Sequence, residues 1–249
     1  MAKFTRNPLR LAYIVYLGTI AMMLFFLIYP FLRYALANAA RYPLGHRIRR
    51  FWGNWLMLLG MVKIKTIFEA PIDGNQPYII TPNHTSYVDI ATLTVGLKKL
   101  DFSFMAKAEL LKIPLFSIWF KTIDIAVDRK NARKAAEAYI KATKFFDSGR
   151  SLVIFPEGTI SAQVPKMIKF KDGPFKLAIE KQIPILPVSI LGNHLIFDDS
   201  KKITGRPGFV TQYVHKPIST KGLTLEDVEA LKMQVFDSIN IKLHEYGYQ

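Results

Sequence analysis

The residues best suited to chemistry lie in one run, Thr81-Pro82-Asn83-His84-Thr85-Ser86-Tyr87-Val88-Asp89. A carboxylate on one nitrogen of an imidazole fixes its tautomer and leaves the other nitrogen as a base, which is two-thirds of a catalytic triad. Spacing decides whether His84 and Asp89 can meet. Inside one regular helix, five residues place the side chains roughly 140° apart. With His84 on a loop and Asp89 in the first turn of a helix, the carboxylate can curl back towards the ring. An ordinary reading competes: Ser86 with Asp89 three residues on is also a capping box, in which Asp89 only caps and His84 is only a loop residue. Taken alone, the pair leaves both readings open.

A second constellation follows the apolar run Leu152-Val153-Ile154-Phe155, which leads directly into Pro156-Glu157-Gly158-Thr159. A glycine at a strand end allows close backbone approach, so that N–H groups can point at a ligand. This loop comes beside His84 if the two strands are neighbours; otherwise it is an ordinary turn. Cations stand at comparable places: Lys107 after Phe102–Ala106, Arg129 after Ile123–Val127, and Lys166, Lys169, Lys171 and Lys176 beyond the Gly158 turn. Converging cations suit a phosphate, with arginine able to grip it bidentately. There is no Gly-x-Gly-x-x-Gly, Walker loop, Gly-x-Ser-x-Gly or His-Glu-x-x-His run. With no cysteine and no metal-like spacing among His46, His194, His215 and His244, neither a thiol nucleophile nor a metal is expected.

The elements that must position these residues show in the hydrophobic pattern. Short apolar runs at Lys63–Phe68, Tyr78–Thr81, Phe102–Ala106, Ile123–Val127, Leu152–Phe155, Ile185–Ile190 and Phe209–His215 predict strands. Between them lie helical stripes, such as Ala132, Ala135, Ala136, Tyr139 and Ile140, and later Phe175, Ala178 and Ile179. This alternation predicts an α/β fold, a mixed, largely parallel sheet flanked by helices, with active residues beyond the strand ends. Thr224 with Asp227 caps a last helix carrying Val228, Leu231, Val235 and Ile239.

The first 62 residues have a different texture. Of the 34 basic residues, ten precede the first acidic one, Glu69, within a chain of net charge +15. Leu11 to Leu32 carries no charge, and about 22 residues are enough to cross a bilayer. After a basic turn, Arg41–His46, a second, shorter apolar stretch runs from Phe51 to Val62, with Trp52 and Trp55 suited to headgroup level. Basic residues flank both ends of the first run, so the positive-inside bias favours a helical hairpin embedded in one leaflet over a single spanning helix. Residues 1–62 are therefore expected to anchor the chain, and 63–249 to form the α/β domain. The charge beside so apolar a segment points to anionic membrane lipids and away from nucleic acid.

Asn83-His84-Thr85-Ser86-Tyr87-Val88-Asp89 resembles the N-H-x-S-x-x-D block of the 1-acylglycerol-3-phosphate acyltransferases. Phe155-Pro156-Glu157-Gly158-Thr159 resembles their F-P-E-G-T block, and Ala106–Leu110 and Ile185–Ser189 are similar to two further segments. The resemblance covers roughly residues 78–190. Where the family commonly has Arg after Gly-Thr, this chain has Ile160, and Ile123 and Ala126 stand where it has Gly and Phe. The resemblance implies the glycerolipid acyltransferase fold and acyl transfer from a thioester to the 2-hydroxyl of lysophosphatidic acid, giving phosphatidic acid. The donor is acyl-CoA or acyl carrier protein, with no further cofactor. It implies His84 as general base, Asp89 as its orienting partner, and Glu157, Gly158 and Thr159 as the glycerol phosphate site; Arg129 is the best remaining candidate for the phosphate charge, followed by Lys107 or the Lys166–Lys169 pair. The expected location is a bacterial-type inner membrane, on the cytoplasmic face. Another acceptor (glycerol 3-phosphate or a different lysolipid) and a non-catalytic lipid-binding role are the alternatives.

Overall fold

The computed structural model describes residues 3–113, 117–128, 131–200 and 202–248. In chain order its elements are β1 (Lys3–Phe4), α1 (Pro8–Leu36), α2 (Tyr42–Leu59), β2 (Val62–Phe68), β3 (Ile79–Pro82), α3 (Asp89–Gly96), β4 (Phe102–Lys107), α4 (Ser117–Lys121), β5 (Ile125–Val127), α5 (Ala132–Asp147), β6 (Ser151–Ile154), α6 (Gly173–Lys181), β7 (Ile185–Leu191), α7 (Asn193–Ile196), β8 (Lys202–Ile203), β9 (Gly208–Val214) and α8 (Val228–Glu245). Seven strands form one sheet in the order β2-β9-β7-β3-β6-β4-β5. All neighbours are parallel except β7 and β9. The remaining two, β1 and β8, pair as a separate two-residue ladder.

Alternation along the central strands builds two cores. Tyr78 and Ile80 face one side, with Val153, Leu186, Val188 and Ile190, under α1, α2 and α3. Ile79 faces the other, with Leu152, Ile154 and Ile185, under α5, α6 and α8. Side chains two apart on a strand share a face, so a run apolar at every position must be covered on both.

The N-terminal helices are part of this packing. Both contribute to the first core, through Phe25, Leu32, Trp52 and Leu56. The helices are joined at their ends as well: the Tyr13 and Tyr16 hydroxyls of α1 donate to the Gly60 and Leu59 carbonyls at the end of α2, each at 3.0 Å. This satisfies acceptors that a helix C-terminus otherwise leaves open. A deeper tie runs to the sheet. Arg49 of α2 holds both oxygens of Asp124, at 2.8 and 3.0 Å, and donates to the Phe102 carbonyl. Residue 62 thus marks a change of sequence texture, while the packing continues across it.

Two boundaries differ from expectation. The basic segment Arg41–His46, expected as a turn, is mostly the first part of α2, because Pro43 is compatible with a helix's first turn. Ile123 and Asp124 precede β5 instead of belonging to it; Ser103 Oγ donates to the Ile123 carbonyl and Asp124 accepts from Arg49 and the Phe104 N–H.

Candidate active site

Strands β3 and β6 are neighbours, with Ile79 opposite Leu152 and Ile80 opposite Val153. That pairing brings the two sequence blocks together beyond the same edge of the sheet. Pro82 ends the main-chain ladder because it has no N–H. Asn83 then continues the ladder with its side chain: its Oδ1 accepts from Ile190 N–H at 2.7 Å and its Nδ2 donates to the Ile190 carbonyl at 3.0 Å. The backbone can therefore turn away from the sheet while the loop stays pinned to β7.

His84 and Asp89 meet. His84 Nδ1 lies 2.8 Å from Asp89 Oδ2, and since a carboxylate only accepts, Nδ1 carries the proton. The same oxygen accepts the Thr85 and Ser86 N–H groups at 2.8 and 3.0 Å. Asp89 consequently performs the reach-back of a capping box and orients the imidazole at once, so the two readings of the sequence coexist in one side chain. The Ser86 hydroxyl is turned elsewhere: it accepts from Val88 N–H and donates to the Phe197 carbonyl. Asp89 is fully buried. His84 is partly open, stacked on Phe155 with ring centroids 3.9 Å apart, and it borders a cavity. With Nδ1 committed, Nε2 is the nitrogen left for a ligand in that cavity.

The cavity measures about 790 Å³, within the range of sites that enclose a lipid-sized or drug-sized molecule. Its walls divide by chemistry. Polar lining comes from His84, Lys107, Glu109, Thr159, Ser161 and Asp199, and apolar lining from Leu17, Gly18 and Ala21 of α1, Leu56 and Met57 of α2, and Trp119. The Arg49–Asp124 pair also borders this space.

The other sequence-predicted residues take distinct places. Gly158 adopts φ +72°, a conformation glycine reaches without strain, and its N–H closes a turn onto the Phe155 carbonyl at 3.0 Å. Thr159 is exposed at the cavity edge, as is Lys107 at the end of β4. Glu157 points inward. It is 1% exposed, and its two oxygens accept the His84 N–H at 2.8 Å and the Ile168 N–H at 3.0 Å. Burial pushes its carboxyl up to about 7, against the opposing pull of those two hydrogen bonds and of His84. It braces the His84 loop and does not border the cavity. Arg129 lies outside the described residues. Among those described, no cluster of three or more His, Asp or Glu side chains could hold a metal ion.

Known proteins share the sequence pattern and the fold of this chain. An acyltransferase family model matches residues 61–191. A probable 1-acyl-sn-glycerol-3-phosphate acyltransferase of Mycoplasma genitalium is 32% identical over 164 residues, 63% of this chain and 59% of that protein. The chain thus spans about three-fifths of that relative's length. The 1-acyl-sn-glycerol-3-phosphate acyltransferase of Borreliella burgdorferi is 32% identical over 187 residues, 74% of this chain and 73% of that one. In fold, the crystal structure of the 1-acyl-sn-glycerophosphate acyltransferase PlsC from Thermotoga maritima superposes with a TM-score of 0.79 at 22% identity, covering 98% of this chain and 99% of that chain.

Proposed function

The chain belongs to the 1-acyl-sn-glycerol-3-phosphate acyltransferase family, and from that premise we propose that it transfers a fatty acyl group from a thioester to the 2-hydroxyl of 1-acylglycerol 3-phosphate, forming phosphatidic acid. The observation that carries the reading is the His84–Asp89 pair, with His84 lining a cavity that apolar side chains of α1 and α2 also wall. His84 Nε2 takes the proton of the 2-hydroxyl as its oxygen attacks the thioester carbonyl, while Asp89 stabilises the imidazolium that forms. The new C–O bond replaces the C–S bond, and the proton passes from His84 to the departing thiolate. Because the Gly158 N–H is committed to Phe155, Thr159 becomes the candidate donor to the developing oxyanion. Lys107 is the cation at the cavity edge, and Gly158 with Thr159 forms the rim for the glycerol phosphate. Arg129 is retained as a second cation on its sequence position alone.

The same proposal places the protein on a membrane. α1 is long and apolar enough to cross one. It is also packed against the protein along its length, from Tyr13 to Leu36, while Leu9, Met23, Phe26, Leu27 and Phe31 on its other side are exposed. A helix docked so extensively on the domain supports a monotopic hairpin lying in one leaflet, with the basic flanks at anionic headgroups. Acyl chains can then pass between lipid and cavity without crossing water. Tags placed at Lys3 and Arg41 should both report the cytoplasmic side in intact cells; opposite sides would replace the hairpin with a spanning helix.

Purified protein assayed with a panel of lysolipids, against acyl-CoA and acyl carrier protein donors, tests the reaction. Transfer to 1-acylglycerol 3-phosphate is expected. Preference for glycerol 3-phosphate would move the acceptor, and inactivity with every thioester would leave only lipid binding.

A further inference from the structure

Asp89 has a second oxygen, and the residue that holds it belongs to none of the sequence blocks. Asn193 Nδ2 donates to Asp89 Oδ1 at 2.7 Å. Both side chains are fully buried. The orientation of the amide follows from chemistry: turned over, its oxygen would face a carboxylate oxygen with no proton between them. Thr92, one turn beyond Asp89 on α3, fixes the amide from the other side, since its hydroxyl lies 3.1 Å from Asn193 Oδ1 and 3.0 Å from Nδ2.

The placement of Asn193 is itself built. It follows β7 through Gly192, which has φ +101°. A Cβ at Gly192 would stand 2.7 Å from the Phe209 carbonyl oxygen of β9, so only glycine allows the chain to turn there. Four residues on, the Phe197 carbonyl accepts the Ser86 hydroxyl. The loop carrying His84 is thus gripped twice by one segment, once at Ser86 and once at Asp89.

We propose that Asn193 is a positioning residue for the acyl transfer reaction, acting through Asp89. By occupying Oδ1 it stops the carboxylate rotating about its Cβ–Cγ bond and keeps Oδ2 aimed at His84 Nδ1. By sharing the negative charge it also moderates how strongly Asp89 attracts the proton on His84. Among the described residues, the titratable groups around the pair include Glu157 beneath the His84 loop, Asp199 beyond Phe197, His194, and Lys107 in the cavity wall. This inference rests on the proposed acyltransferase activity, so its test begins from a wild-type enzyme that turns over.

Two variants separate positioning from simple structure. Asn193→Ala should lower kcat by about 10- to 100-fold with the KM of donor and acceptor nearly unchanged, and should move the acid limb of the kcat/KM profile to higher pH. Asn193→Asp keeps the shape of the side chain but sets two carboxylates against each other, and such a pair retains one proton between them at lower pH. While the new acid is protonated its O–H can replace the amide donor. This variant should therefore keep part of its activity at acidic pH and lose it on an alkaline limb that the wild type lacks. Titrating the His84 ring by NMR gives the same comparison without turnover. An active wild type with Asn193→Ala unchanged in kcat and pH profile would overturn the inference. So would an Asn193→Asp profile parallel to the wild type, or losses in both variants that only track a lower melting temperature. A wild type inactive on every thioester would instead overturn the proposed reaction.

Discussion

The loop after β3 and the loop after β6 sit side by side, yet they are held in different ways. In the first, side chains make the ties, although the Thr85 hydroxyl has no partner among the described residues: Asn83 holds the β7 backbone, and Asp89 has three backbone or ring donors on one oxygen and Asn193 on the other. In the second, a buried Glu157, the Gly158 turn and the Lys171 N–H on the Pro156 carbonyl anchor the start, and the residues from Gly158 to Ala162 line the cavity. The difference fits the two tasks assigned to them. A base and its partner gain from a geometry that does not relax between turnovers. A rim over which a long-chain substrate must enter and leave gains from fewer side-chain ties.

The largest expected effect breaks the first loop's chemistry. His84→Ala should reduce turnover by on the order of 10²–10⁴ with little change in melting temperature, since the ring lies at the cavity edge and leaves the core intact. Asp89→Asn should be similarly inactive, and in contrast should also melt earlier. Its amide can offer only one acceptor where four donors converge, so one or more N–H groups lose their partner. Equal melting temperatures for the two variants would contradict the bracing assigned to Asp89.

A smaller effect is expected in the second loop. Gly158→Ala forces a Cβ into φ +72°, at a strain of about 1–2 kcal/mol, or roughly tenfold in an equilibrium. Steady-state kinetics should show this chiefly as a higher acceptor KM, with kcat changed less than by any substitution in the His84 loop. The last effect is read in stability instead of turnover, and concerns the brace between the loops. The folded Glu157 carboxyl keeps its proton up to about pH 7, whereas the unfolded one releases it near the ordinary 4.5. Stability contributed by this group is therefore highest below pH 4.5 and falls as pH rises towards 7, by up to about 3 kcal/mol. Melting curves across that interval should slope downwards for the wild type and more weakly for Glu157→Gln.

The residues explain what was legible in the sequence. Each short apolar run beyond residue 62 that predicts a strand holds one, because a segment such as Ile79-Ile80 or Leu152-Val153-Ile154 can only be satisfied with both faces covered. The His84–Asp89 contact was legible too, since the five-residue spacing works only across a loop-to-helix boundary. Strand order was not, and the adjacency of β3 and β6 on which the site depends is a long-range fact. Glu157 reads in sequence as a ligand-facing acid; nothing local signals that its carboxylate turns inward to two N–H groups. Asn193 was missed altogether. It lies 104 residues from the carboxylate it holds, and its only local sign is the glycine before it.

The pair between Arg49 and Asp124 has a further consequence, for how the molecule comes to exist. Seventy-five positions separate the two residues, and the guanidinium emerges from the ribosome first. Both are almost completely enclosed in the finished protein, and an unpaired charge in such surroundings costs several kcal/mol. The hairpin therefore cannot settle into its final seat until β4 and the turn before β5 have been made. Maturation of the N-terminal end waits on the middle of the chain, which runs against the direction of synthesis.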